Sequence, residues 1–205
     1  MTATRYLYLA RHGEATADES GLTEAGRAQA RLLGERLRHT PLSAVTHGPL
    51  ARATETAHLV HEQLGAVPLS ASPVVGDYLP HLPSREELPA RSADFYLSFL
   101  DRFPAAEREE GPALAQRALA EFTGPVESDE DRHELVVTHN FLVGWLVRDA
   151  LDAPAWRWLG LNHANAGLTV IRYAPGRPAN LLCYNDTRHL SGPLRWTGLP
   201  PEVHV

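Results

Sequence analysis

Lysine is absent from this chain of 205 residues, and all 19 of its strongly basic side chains are arginines. That excludes a Schiff-base lysine and the lysine of a nucleotide-binding P-loop. Cysteine occurs once, at Cys183, which excludes an intramolecular disulfide and any Cys-x-x-Cys redox or metal motif. No run of basic residues is present and the net charge is -6, a balance that argues against a general nucleic-acid partner. No apolar stretch approaches the length that spans a bilayer. Arg5 interrupts an apolar start too short for a secretion signal. A cytoplasmic protein without a membrane partner is expected.

What remains is ordinary globular composition, 43% hydrophobic and 21% charged, in a length that suits one domain. Short apolar runs alternate with helical periodicity. Tyr6–Ala10, Ala44–Thr46, Leu135–Thr138, Leu168–Tyr173 and Asn180–Tyr184 read as strands, with Val67–Ala71 a weaker one. Thr23–Leu37 reads as a helix with apolar residues at 25, 28, 32 and 33. Leu50, Ala53, Ala57, Val60 and Leu64 keep three-four spacing over a second helix. Residues 92–103, 112–123 and Phe141–Leu151 complete the helical set. The pattern predicts an α/β fold, a three-layer α/β/α sandwich around a mostly parallel sheet. It forms one domain over 1–205, with a loop and helical insertion at about 72–125. Residues 72–91 hold four prolines and read as a long surface loop. The acidic run 127–134 reads as a solvated loop before a strand, and the tail after Leu190 as surface chain without a helix.

Ligands of open parallel sheets bind beyond the carboxyl ends of the strands. There the sequence puts Arg11, His12 and Gly13 after the first strand, and His139 with Asn140 after another. Gly48 and Pro49 follow the second strand, with Arg52 in the first turn of the helix they open. Taken singly, each residue is an ordinary loop or surface residue. Together, two arginines, two histidines and a helix amino terminus make a pocket for an anion, phosphate above all. Arginine charge holds an imidazole neutral and thus nucleophilic, and guanidinium forks fit a transferring phosphoryl group. His58 and His61, three apart on a helix, are expected to face solvent, so no metal or other cofactor is expected.

The segments LARHGEA, GLTEAGRAQA, GPLARATETA, VVTHN, NHANAGLTVI and YNDTRHL, in that order, resemble the histidine phosphatase superfamily, the phosphoglycerate-mutase-like fold, from about residue 5 to 190. The resemblance implies that His12 is the nucleophile of a phosphohistidine intermediate, with Arg11, Arg52 and His139 binding phosphate and no metal or organic cofactor. It further implies an acidic proton donor after the third strand. DYLPHLP, residues 77–83, is similar to the Glu-Gly-x-Pro-x-x-Pro of phosphatase branches and puts Asp77 in that role. Asp is one methylene shorter than the usual Glu, and Glu86, Glu87 and then His81 are the alternatives. Ala15 and Asp18 depart from the family's usual Thr and Asn. The form RHGEA is closer to the short bacterial phosphohistidine and protein phosphatases. Thr46-His47-Gly48 and Asn140 also depart from the common residues, reshaping the rim.

The activity implied is hydrolysis of phosphate monoesters, on a small molecule or a phosphoprotein. A phosphoglycerate-type mutase is the first alternative, disfavoured because Arg85, Arg91, Arg102, Arg108 and Arg117 do not cluster. A non-catalytic phosphate-binding protein of the same fold is the second. Tyr78, His81, Arg85, Trp156 and Trp158 are candidates for the pocket entrance, the two tryptophans more readily as packing residues.

Overall fold

A computed structural model describes residues 1–204, apart from the side chains of 106 and 107. The chain runs β1 (Thr2–Ala3), β2 (Arg5–Arg11), α1 (Glu24–Leu37), β3 (Ala44–His47), α2 (Ala51–His61) and β4 (Leu69–Ala71). It continues through α3 (Ala93–Leu100), α4 (Ala105–Phe122), β5 (Val126–Glu127), β6 (Arg132–Thr138), α5 (Asn140–Ala150), β7 (Leu168–Tyr173) and β8 (Asn180–Asp186), with short 3-10 turns between. Six strands form the main sheet in the order β4-β3-β6-β2-β7-β8. The β4–β3, β3–β6 and β6–β2 pairs are parallel, whereas β2–β7 and β7–β8 are antiparallel. The expected mostly parallel sheet between helices is what the chain forms. Among the described residues no helix is long and apolar enough to cross a membrane.

Alternation along the central strands builds the layers. Leu7, Leu9, Val136 and Ile171 are fully buried on one face with Leu142 and Leu146 of α5 and Ala115 and Phe122 of α4. Ala10, Leu135, Val137 and Leu168 point to the other face, against Leu33 and Leu37 of α1 and Val60 of α2. Neighbouring residues of one strand thus serve opposite cores, as the period of two requires. Central strands buried on both faces read as unbroken apolar runs, which is why β2, β6 and β7 are legible in the sequence.

Three features differ from the sequence expectation. The buried stripe of α1 is Gly26, Gln29, Ala30, Leu33, Gly34 and Leu37, rotated from the 25-28-32-33 set. Two glycines permit it: Gly26 lies against the backbone of Glu14, and Gly34 against the carbonyl of Val60. Helix α4 starts seven residues before the expected 112 and carries Pro112 inside it, forgoing one backbone hydrogen bond. The preceding Gly111 lets the helix pass directly over the Leu79 backbone. Strand β6 begins at Arg132, inside the acidic run, because Arg132 is in register with Arg5 on β2. Glu134 there pairs with Arg5 at 3.1 Å.

Candidate active site

The parallel strands β2, β3 and β6 end together, and their carboxyl ends present Arg11-His12, His47-Gly48 and Thr138-His139. Backbone hydrogen bonds lock these ends: His12 N–H donates to Thr138 O at 2.9 Å and Gly48 N–H to Val137 O at 3.1 Å. The hydroxyl of Thr138 donates to Val75 O at 2.7 Å, pinning the segment that leads to Asp77. Gly48 lies in the narrow gap between these strands. A Cβ there would stand 2.6 Å from Val75 O and 3.2 Å from His139 Nε2. Gly48→Ala should therefore displace backbone beside His139 and destabilise the fold by about 1–3 kcal/mol; urea denaturation measures it.

Arg11, His12, Arg52 and Asp77 line one cavity of about 380 Å³, together with residues 14–17, Glu19, Asn165 and Gly198. His12 is 6% exposed. Its Nδ1 lies 2.7 Å from Gly13 O; a carbonyl only accepts, so Nδ1 carries the proton and Nε2 keeps the lone pair. Burial, His139 and Arg11 push its pKa down to about 3. His139 is 1% exposed, its pKa is likewise lowered to about 3 by burial and by Arg52 and Arg11, and neither ring nitrogen has a hydrogen-bond partner among the described residues. Its Nδ1 comes within 3.4 Å of Asp77 Oδ2 without hydrogen-bond geometry. Two buried, partnerless nitrogens beside a cavity call for a ligand that bonds them.

Arg52 spreads its fork over two carboxylates, Nη1 donating to Glu19 at 3.0 Å and Nη2 to Asp77 at 2.7 Å. Glu19 holds that position with φ of 57°, a left-handed conformation uncommon outside glycine and concentrated at functional sites. Arg11 donates through Nη1 to His163 O at 2.7 Å and Gly198 O at 2.8 Å. Burial lowers its pKa to about 10, so it stays cationic at neutral pH, and its buried Nε has no partner among the described residues. Two cations, a partnerless imidazole and a neutral imidazole with a free lone pair can hold a tetrahedral oxyanion and present a nucleophile to its centre.

Sequence reasoning put all four of Arg11, His12, Arg52 and His139 at the carboxyl edge, and the structure brings them together with Asp77. It does not bring the alternatives. His81 Nε2 lies 2.9 Å from Glu87, Glu87 also accepts from Ser84 N–H at 2.8 Å, and Glu86 is exposed; none of the three lines the cavity. His61 Nε2 lies 2.6 Å from Val67 O and His58 is exposed. Among the described residues no three His, Cys, Asp or Glu side chains gather as a metal site would require. Trp158 is buried in the core and donates to His81 O at 3.2 Å.

Three participants were not foreseen. Glu19 looked like any exposed loop acid. Asn165, quoted only as part of a motif, donates to His12 O at 3.0 Å. The tail after Leu190 does not merely cover the surface: Gln29 holds Leu194 O and Thr197 Oγ1 at 2.8 and 2.6 Å, which sets Gly198 against Arg11. Gln29 in the middle of an amphipathic helix was the available signal.

His12, His139 and His163 are all buried with pKa values lowered to about 3, so the unfolded chain binds more protons than the native one between about pH 3 and the ordinary imidazole value near 6.5. Stability should be flat in these groups above pH 6.5 and fall on acidification, by up to about 1.4 kcal/mol per pH unit for each imidazole. Urea midpoints between pH 7 and 4.5 measure this. A flat profile would mean the folded imidazoles take up protons at the same pH as those of the unfolded chain.

Compared with known proteins, residues 7–187 match the description "Histidine phosphatase superfamily (branch 1)". The chain is 32% identical over 197 residues to the Caenorhabditis briggsae protein named "Serine/threonine-protein phosphatase Pgam5, mitochondrial", covering 93% of this chain and 66% of that one. It therefore spans just under two thirds of that relative's length. Among solved structures, a putative alpha-ribazole-5'-P phosphatase from Escherichia coli superposes with a TM-score of 0.66 at 22% identity, over 89% of this chain and 97% of its own. A phosphoglycerate mutase from Plasmodium falciparum does so with 0.59 at 19% identity, over 99% and 98%. These likenesses establish the fold.

Proposed function

The chain belongs to the histidine phosphatase superfamily, branch 1, and from that premise we propose that it is a metal-independent phosphomonoesterase working through phosphohistidine on His12. The observation that carries this reading is the neutral His12, its Nδ1–H tied to Gly13 O, beside Arg11, Arg52 and a partnerless His139. The Nε2 lone pair attacks phosphorus in line, the N–P bond forms and the ester P–O bond breaks. The ester binds as its monoanion, whose proton passes to Asp77 and from Asp77 to the departing alkoxide. Asp77, now a carboxylate, then takes a proton from water as that water attacks the phosphohistidine, and phosphate and free His12 are regenerated. Arg11, Arg52 and the neutral His139 hold the equatorial oxygens throughout, and the charge of the two arginines is in place before the reaction begins.

The substrate is a phosphate monoester of a small molecule or a protein, and the serine/threonine phosphatase name of a relative keeps phosphoproteins in view. The mutase alternative calls for further cations around a substrate carboxylate. Arg85 instead pairs with Asp94 and Arg108 with Asp101. Phosphate release from p-nitrophenyl phosphate in EDTA, with the phosphoenzyme trapped by rapid quenching, tests the proposal. Turnover with an acid-labile, alkali-stable phosphoenzyme supports it. A folded protein that binds phosphate without turnover returns the reading to a binding protein, and turnover that needs a bisphosphate primer returns it to a mutase.

Gly198 should matter here without being chemical. At φ of 78°, a Cβ would stand 2.6 Å from Arg11 Nη1. Gly198→Ala should raise KM about tenfold, the worth of one displaced charge-assisted hydrogen bond, and lower Tm, because a side chain on this left-handed backbone is strained; steady-state assays and thermal melts measure the two.

A further inference from the structure

In-line transfer puts the departing oxygen opposite the attacking nitrogen, on the side of the proton donor. Arg52, Asp77 and Glu19 line the phosphate cavity and also a second one of about 470 Å³, which His12 does not touch. The second cavity is therefore where the rest of a substrate goes. Its other walls are Leu50, Tyr78, Leu79, Phe103 and Phe141. Among the described residues Arg52, already committed to the phosphoryl group, is the only cation that lines it, and two carboxylates flank it. An anionic leaving group would meet repulsion without a counter-charge.

Phe141 continues the path. It also lines an apolar pocket of about 230 Å³ with Phe95, Tyr96, Phe99, Trp158 and Leu159. Its ring meets Trp158 edge-on at 5.1 Å, and Phe103 and Phe99 at 5.8 and 6.1 Å, with interplanar angles of 67°, 71° and 90°. Phe95 on the wall of this pocket remains 71% exposed, an apolar ring left in water. Such edge-to-face walls suit another flat ring. Resting on the phosphatase reading, we propose that this aromatic cleft is a leaving-group subsite, and that it selects uncharged aryl phosphomonoesters over anionic ones such as phosphoglycerates.

Substrate pairs with matched leaving groups separate the cleft from intrinsic reactivity. The wild type should turn over 2-naphthyl phosphate at least about tenfold better than phenyl phosphate in kcat/KM, and benzyl better than ethyl phosphate by a similar factor, the range one apolar increment supplies in a fitted pocket. 3-Phosphoglycerate should be poorest of all. Phe95→Ala, at an exposed position that the fold does not depend on, and Phe99→Ala should pull the naphthyl-to-phenyl ratio toward one. Tryptophan fluorescence titrations with 2-naphthylmethylphosphonate and methylphosphonate read the subsite without turnover, and the naphthyl compound should bind at least tenfold tighter. Tighter binding of it by a protein that hydrolyses nothing would overturn the phosphatase reading and leave the subsite standing. Hydrolysis of all esters with equal ratios and equal phosphonate binding, or a preference for 3-phosphoglycerate, would overturn the subsite.

Discussion

His12→Ala should lower kcat for p-nitrophenyl phosphate by about 10⁴-fold or more and remove the acid-labile phosphoenzyme, because no second nucleophile replaces Nε2. The rest of the pocket should survive. Arg11 is held by two backbone carbonyls and Arg52 by two carboxylates, none of which involves the His12 side chain. Inorganic phosphate should therefore still bind the variant, within a few-fold of the wild type, in an equilibrium titration. Loss of binding along with turnover would mean that His12 organises the pocket. Substantial remaining turnover would mean that another group attacks.

Asp77→Asn should give the second largest effect, and one that depends on the substrate. An alkyl ester leaves as a strong base and needs its proton, so kcat/KM should fall by about 10²–10⁴-fold. p-Nitrophenolate needs no proton, and the fall there should be much smaller. The substitution also removes a negative charge 2.7 Å from Arg52 Nη2, so the pocket becomes more positive and inorganic phosphate should inhibit at lower concentration. Parallel losses of kcat/KM on both ester classes would rule out the acid role, whereas a shared loss of kcat alone reports the base role of Asp77 in dephosphorylation. Glu19, the other carboxylate on Arg52, would then be the next to replace, ahead of Glu86 and Glu87, which lie off the cavity.

The sequence carried the centre of the fold and not its rim. β2, β6 and β7 are buried on both faces, so their apolar runs are dense and their ends abrupt. The polar residues at the β2 and β6 ends, His12 and His139, are conspicuous against them. The β2–β7 pairing runs antiparallel, and no local pattern signals direction. The α1 stripe was misaligned because Gly26 and Gly34 are buried by closeness of backbone, which hydrophobicity does not register. Pro112 marked a helix start by the usual rule, yet Gly111 and the passing Leu79 backbone let the helix run through it. Glu19 and Gly198 reach the cavity through a left-handed residue and a long-range tail contact. Neither is written in spacing.

Gln29 and Asn165 fasten the tail over Arg11, and this sets a timetable for the protein's birth. Gly198 O and Arg11 are separated by 187 residues, roughly 10–40 s of synthesis at common ribosomal rates. β2 lies between β6 and β7, both translated more than a hundred residues after it. The emerging amino-terminal half therefore holds its central strand without neighbours on either side. Contacts of that sequence separation close slowly, so the pocket is completed only once residue 198 has left the ribosome. A stalled or truncated chain carries the Arg-His-Gly segment with its hydrogen bonds unmade, exposed to chaperones and proteases rather than to substrate.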